Sequence, residues 1–162
     1  MDENIIITSH HESGHALMAY IVGWSIDSII LKIENEKLLY GVTNYDFCGE
    51  TTDDWTNLNR RVHCLVGGPI SQAFYENNNR IDLDMLGQDG ITIDYLLSSF
   101  DSRTKEDTIQ NAITTTATLL QISENRKAKI MITEFLMQNH KISQTEFIEI
   151  VKSCNVVRIK FN

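Results

Sequence analysis

The chain has 162 residues, 42% of them apolar, and a formal charge of −8, which fits one ordinary soluble domain spanning 1–162 with a sizeable core. That acidity argues against nucleic acid or an anionic membrane as a main partner. No apolar stretch approaches the roughly twenty residues that cross a bilayer, and the acidic, histidine-bearing start lacks the layout of a secretory signal, so no membrane span is expected and the cytoplasm is the expected compartment.

The first predicted element carries His11-Glu12-Ser13-Gly14-His15. On a helix, residues four apart share a face, so His11 and His15 can each offer an imidazole nitrogen to one metal ion. Glu12 lies about 100° around the helix, off the metal but able to act as general base on a water beside it. Chance produces this pentapeptide on the order of once per hundred chains of average composition. The segment that follows, Ala16 to Val22, is strongly apolar and predicts a buried helix stopping at Gly23. Ser9 and Glu12 also fit a capping box, which would divert the glutamate. A start near Asp2 or Asn4 frees it and puts the motif mid-helix.

Ile26 to Ile33 and Leu38 to Thr43, separated by Glu34-Asn35-Glu36-Lys37, predict a hairpin. Asp53-Asp54 introduces a helical pattern from Trp55 to Val66. Gly67-Gly68-Pro69 is expected to interrupt it, by a kink or by a new helix running to Glu76. Arg80 to Gly90 reads as a loop. Helical spacing resumes from Ile91 through Phe100 and on to Leu120, followed by Lys127 to Asn139 and Gln144 to Lys152. Val156 to Phe161 has strand character. The expected fold is mainly α with a small β-sheet.

Cys48, Cys64 and Cys154 are odd in number and widely separated, which suits reduced thiols. Cys64 reads as a small core residue. His63 and His140 read as structural or solvent-facing, His140 at a helix C-terminus. A catalytic zinc site takes three protein ligands. Met18 and Ile21 stand where one extended pattern has a glycine and a third histidine. Glu34 and Glu36 fall in the hairpin turn, where solvated carboxylates are expected.

Several segments together resemble the peptidase domain of FtsH-type ATP-dependent zinc proteases, and the resemblance covers nearly the whole chain. His11-Glu12-Ser13-Gly14-His15-Ala16 is similar to the family's His-Glu-Ala-Gly-His-Ala, and Leu39-Tyr40-Gly41-Val42-Thr43 to a Leu-Gly-Tyr-Thr strand segment. Leu65-Val66-Gly67-Gly68, with Phe74 following, resembles Leu-Gly-Gly-Arg-Ala-Ala-Glu-Glu-Leu. Gly90-Ile91-Thr92-Ile93-Asp94 matches the spacing of Gly-Ala-x-Asn-Asp, whose last aspartate is the third zinc ligand. The resemblance therefore implies a zincin-like fold, Zn²⁺ as cofactor, His11, His15 and Asp94 as ligands and Glu12 as catalytic base. A carboxylate after a glycine loop, in the first turn of a helix, would also gain from the helix dipole. Asp89 and Asp84 are the alternatives.

The chain departs from the pattern at Pro69, where the family has arginine, and at Ile70-Ser71-Gln72-Ala73 in place of Ala-Ala-Glu-Glu. Different support behind the metal ligands is expected there. No Gly-x-x-x-x-Gly-Lys-Ser/Thr loop occurs, so this polypeptide alone is not expected to use ATP. The expected activity is a zinc-dependent endopeptidase acting on flexible or unfolded polypeptide. The alternative is a non-catalytic metal-binding or docking module that works with a separate ATPase or a family relative.

Overall fold

The computed structural model describes residues 2–46, 54–78 and 86–160. Helix α1 spans Glu3–Val22: the Asp2 carboxylate accepts from the Asn4 N–H at 3.1 Å, and Gly23, at φ 108°, ends it in a left-handed conformation open to glycine. The early start leaves Ser9 inside the helix, its hydroxyl donating to the Ile5 carbonyl at 2.6 Å instead of capping. Glu12 is thus not drawn into a capping box. From Glu12 to Ala19 every side chain is buried, so α1 is a central helix covered on all sides.

Strands β1 (Ser25–Glu34) and β2 (Lys37–Asp46) form the expected antiparallel hairpin. Asn35 and Glu36 turn the chain with φ of 49° and 64°, the two-residue geometry whose twist matches that of the strands. The third strand is not the predicted C-terminal one. Strand β3 is the short Lys141–Ser143, antiparallel to β1 with Ile29 opposite Ile142, giving the order β2-β1-β3. Because β3 occupies that edge of β1, the tail finds other partners. The Val157 N–H donates to Asn125 Oδ1 at 2.7 Å, and the Ile159 N–H donates to the Ile21 carbonyl at 3.1 Å. Phe161 lies outside the described residues.

Helix α2 spans Trp55–Tyr75, capped by Asp54, and runs through Gly67-Gly68-Pro69 as one helix, so no new helix begins at Pro69. An internal proline costs about 3 kcal/mol, but every residue from Val62 to Ser71 is buried. Burying one large aliphatic side chain contributes about 1.5–3 kcal/mol, so several of them outweigh the proline. The helices α1 and α2 cross where Gly14 meets Gly67: a Cβ on Gly67 would stand 2.7 Å from the Gly14 carbonyl oxygen and 2.8 Å from Met18 Cγ.

Helix α3 spans Gly87–Leu96, so part of the predicted loop is helical. Helices α4 (Ser102–Gln121), α5 (Ser123–Asn139) and α6 (Gln144–Ser153) follow, the last opened by a capping box between Ser143 and Glu146. Leu17, Met18, Ile21, Ile29, Ile132 and Phe147 are fully buried in a core shared by the helices and the sheet. The fold is mainly helical with a three-stranded antiparallel sheet, and among the described residues no helix is long and apolar enough to cross a membrane.

Candidate metal centre

The helical period brings His11 and His15 onto one face of α1, and their Nε2 atoms stand 2.9 Å apart. The third member is Asp89: its Oδ2 lies 3.2 Å from His11 Nε2 and 3.4 Å from His15 Nε2. Asp94, the aspartate implied by the resemblance, is not brought to the pair. It is largely exposed and accepts a hydrogen bond from Lys105 Nζ at 3.0 Å. The reason lies in where α3 begins. With Gly87 as its first residue, Asp89 falls in the first turn, where the helix dipole favours a carboxylate. Leu86 and Ile93 anchor the inward face, and Asp94, five residues past Asp89, points about 140° away around the helix. The apolar spacing Leu86, Ile93, Leu97 is the sequence signal for this register. Asp84 lies outside the described residues.

Both imidazoles are held from behind. His15 Nδ1 is 2.8 Å from the Cys64 carbonyl oxygen, to which it must donate, so that in the neutral ring Nε2 is the bare nitrogen. His11 Nδ1 is 3.2 Å from Gln72 Oε1. The Gln72 amide nitrogen donates to Glu76 Oε1 at 3.0 Å, which turns its oxygen toward His11. The stretch that departs from the family pattern therefore supplies the support for His11, and Ser71 adds a hydrogen bond from its hydroxyl to the His10 carbonyl at 2.6 Å. Two imidazole nitrogens and a carboxylate oxygen this close repel one another when all are deprotonated, and either a proton or a metal cation between them relieves the repulsion.

Ligands 2.0–2.1 Å from a common tetrahedral centre are about 3.3 Å apart. The observed separations of 2.9, 3.2 and 3.4 Å bracket that value, so the group has the dimensions to hold a metal ion. With protons alone, burial pushes the Asp89 carboxyl up. The hydrogen bonds and charges of His11 and His15 outweigh this and hold it below the usual carboxylate range. Burial lowers His15, yet the hydrogen bond and charge of Asp89, with the charge of Glu12, raise it overall. Gly68 leaves the room: a Cβ there would collide with His15 Nε2 and come within 2.8 Å of His11 Nε2.

Glu12 is 7% exposed and borders the same cleft, of about 510 Å³. Thr43 Oγ1 donates to Glu12 Oε2 at 2.8 Å and lies 3.1 Å from the Glu12 carbonyl oxygen. Gly41 makes way for the carboxylate, since a Cβ would approach Glu12 Oε1 to 2.9 Å. Tyr45, also on the cleft, keeps its phenol protonated because burial drives its pKa upward. Tyr45 carries no sequence signal of its own; Thr43 ends the strand segment that carries part of the resemblance and Gln72 lies in the stretch that departs from it, but only packing assigns their contacts here. Glu34 and Glu36 are exposed as expected, Glu36 in the turn and Glu34 at the end of β1. His63 is buried with Nδ1 on the Asn59 carbonyl at 2.8 Å, and His140 caps α5 at φ 58°. Cys64 and Cys154 are buried free thiols, and Cys48 lies outside the described residues.

Compared with family models and with curated proteins, the chain matches none of them.

Proposed function

We propose that this chain is a zinc-dependent metallopeptidase of the FtsH type, with His11, His15 and Asp89 holding the ion and Glu12 as general base. The observation that carries the reading is three inward-facing donor atoms at tetrahedral spacing with a buried glutamate on the same cleft. Two imidazoles and one carboxylate suit zinc in a catalytic setting, where three protein ligands leave a position open. Zinc bound there supplies Lewis acidity, lowering the pKa of an attacking water and polarising a peptide carbonyl.

Glu12 takes the proton of the attacking water and returns it to the leaving amine. Thr43 fixes the Glu12 carboxylate through its hydroxyl, which holds Oε2 and leaves Oε1 without that bond. Strand β2 is terminal in the sheet, and its Gly41–Thr43 segment lines the cleft. An extended peptide adding to that edge would run past the metal centre. Folded segments present no free backbone for such pairing, which makes flexible or unfolded polypeptide the substrate class.

The test is metal analysis of the purified protein together with hydrolysis of labelled, unfolded casein by the wild type and Glu12→Gln. The expected result is stoichiometric zinc in both, with turnover lowered about 10²–10⁴-fold in the variant. Undiminished cleavage by Glu12→Gln, or absence of zinc after reconstitution, would overturn the proposal. Zinc without any turnover would favour the docking module.

A further inference from the structure

A second cavity, of about 350 Å³, opens between α1, the end of α2 and α5, and shares no lining residue with the metal cleft. Phe74, Tyr75 and Ile130 give it apolar walls, with His10 stacked on Tyr75 at 4.3 Å between ring centres. Lys129 also lines it and is only 6% exposed. In a chain of net charge −8 a buried ammonium is expected to have a carboxylate beside it. Among the described residues Lys129 has none. Its Nζ lies over the Phe74 ring, 5.6 Å from the centroid, and the charge acting on it is that of Arg126. Arg126 lies on the same cavity and likewise makes no ion pair among the described residues. His10 Nδ1 is buried there without a hydrogen-bond partner.

A lysine only 6% exposed and an orphaned ring nitrogen, with the exposed Arg126 lining the same aromatic-walled space, favour the entry of something negative. We propose that this cavity binds a small organic anion, an oxyanion headgroup on a flat apolar body, with Lys129 and Arg126 taking the charge and Tyr75 and Phe74 the body. Charge-assisted hydrogen bonds from an ammonium and a guanidinium are the strong class of polar contact, and among the described residues no carboxylate accepts them from Lys129 or Arg126. The Lys129 stem could instead lie along apolar surface and keep its ammonium in water, a structural role with no ligand.

Ligand titration separates the two. Thermal unfolding of the full chain is followed at pH 7 and constant ionic strength against benzoate, phenyl phosphate and, as a neutral control, benzyl alcohol. A saturable rise in Tm with benzoate or phenyl phosphate and none with benzyl alcohol is expected; the stronger of the two identifies the headgroup. Arg126→Ala, on an exposed residue, is expected to weaken binding about tenfold. Lys129→Met should abolish it while folding at least as stably as the wild type, since the variant loses an uncompensated charge. No saturable rise with either anion, an equal rise with benzyl alcohol, or an undiminished response in Lys129→Met would overturn the proposal. Glu12→Gln should leave the response unchanged, which keeps this test independent of the peptidase reading.

Discussion

His15 Nδ1 donates to the Cys64 carbonyl oxygen at 2.8 Å, joining two residues 49 positions apart across the α1–α2 crossing. This bond sets the tautomer of one imidazole of the candidate metal centre, and so the chemistry of the site depends on helix packing. Pro69 bears on it as well. It removes the N–H that would bond the Leu65 carbonyl, one residue past the Cys64 carbonyl that receives His15.

The two aspartates of α3 are expected to behave oppositely. Asp89→Ala takes an acidic donor from between His11 and His15, and zinc affinity should fall by more than about 100-fold, beyond the 10–100-fold typical of outer-shell changes. Asp94→Ala removes only an exposed partner of Lys105; affinity should be unchanged and stability altered by less than about 1 kcal/mol. Competitive titration with a chelating dye measures both, and equal losses would contradict the assignment of Asp89.

Gly68→Ala should damage the candidate metal centre through one methyl group. Alanine gains about 0.5–1 kcal/mol over glycine inside a helix, but its Cβ would overlap the His15 ring, and overpacking costs about 1–3 kcal/mol. The collision wins. A lower denaturation midpoint with zinc uptake reduced at least about tenfold is expected, read by urea unfolding and metal analysis; normal zinc content would contradict the geometry.

Thr43→Val keeps the shape of the strand residue and deletes the hydroxyl that holds Glu12. Zinc content should be retained and kcat for casein lowered about tenfold, the effect of losing one hydrogen bond to a charged group. KM should change little. A loss confined to KM would mean that Thr43 acts on substrate binding and not on Glu12.

Burial, with the charge of Arg126 added, lowers Lys129 from 10.5 to about 8. The folded state then releases this proton near pH 8 while the unfolded chain keeps it to about 10.5, so the unfolded state binds more protons in that window and stability rises with pH there. Below pH 8 the cost of the buried charge is fully present. Lys129→Met should therefore exceed the wild type in stability by its largest margin below pH 8, the margin shrinking toward pH 10.5. Denaturation of both proteins across pH 6–10.5 follows the difference; a margin that stays flat would show that Lys129 is not desolvated.

By itself the sequence determined what depends on neighbours a few positions apart. Asp2 and Gly23 bound α1, and four-residue spacing puts His11 and His15 on one face with Glu12 beside them. The alternation and polar turn around Asn35-Glu36 make the hairpin. Backbone geometry and side-chain period are enough for each of these. Tertiary structure decided which acid joins the pair, because the register of α3 is set by Leu86 and Ile93 docking in the core and not by the glycine nearest Asp94. It also carried α2 through Pro69, since burial against α1 outweighs a lost hydrogen bond. Packing alone placed Gln72 behind His11, Thr43 on Glu12 and Lys129 in a cavity without a carboxylate. Those contacts join residues about thirty to sixty positions apart or depend on several helices at once, so their energies exist only once the chain has closed on itself.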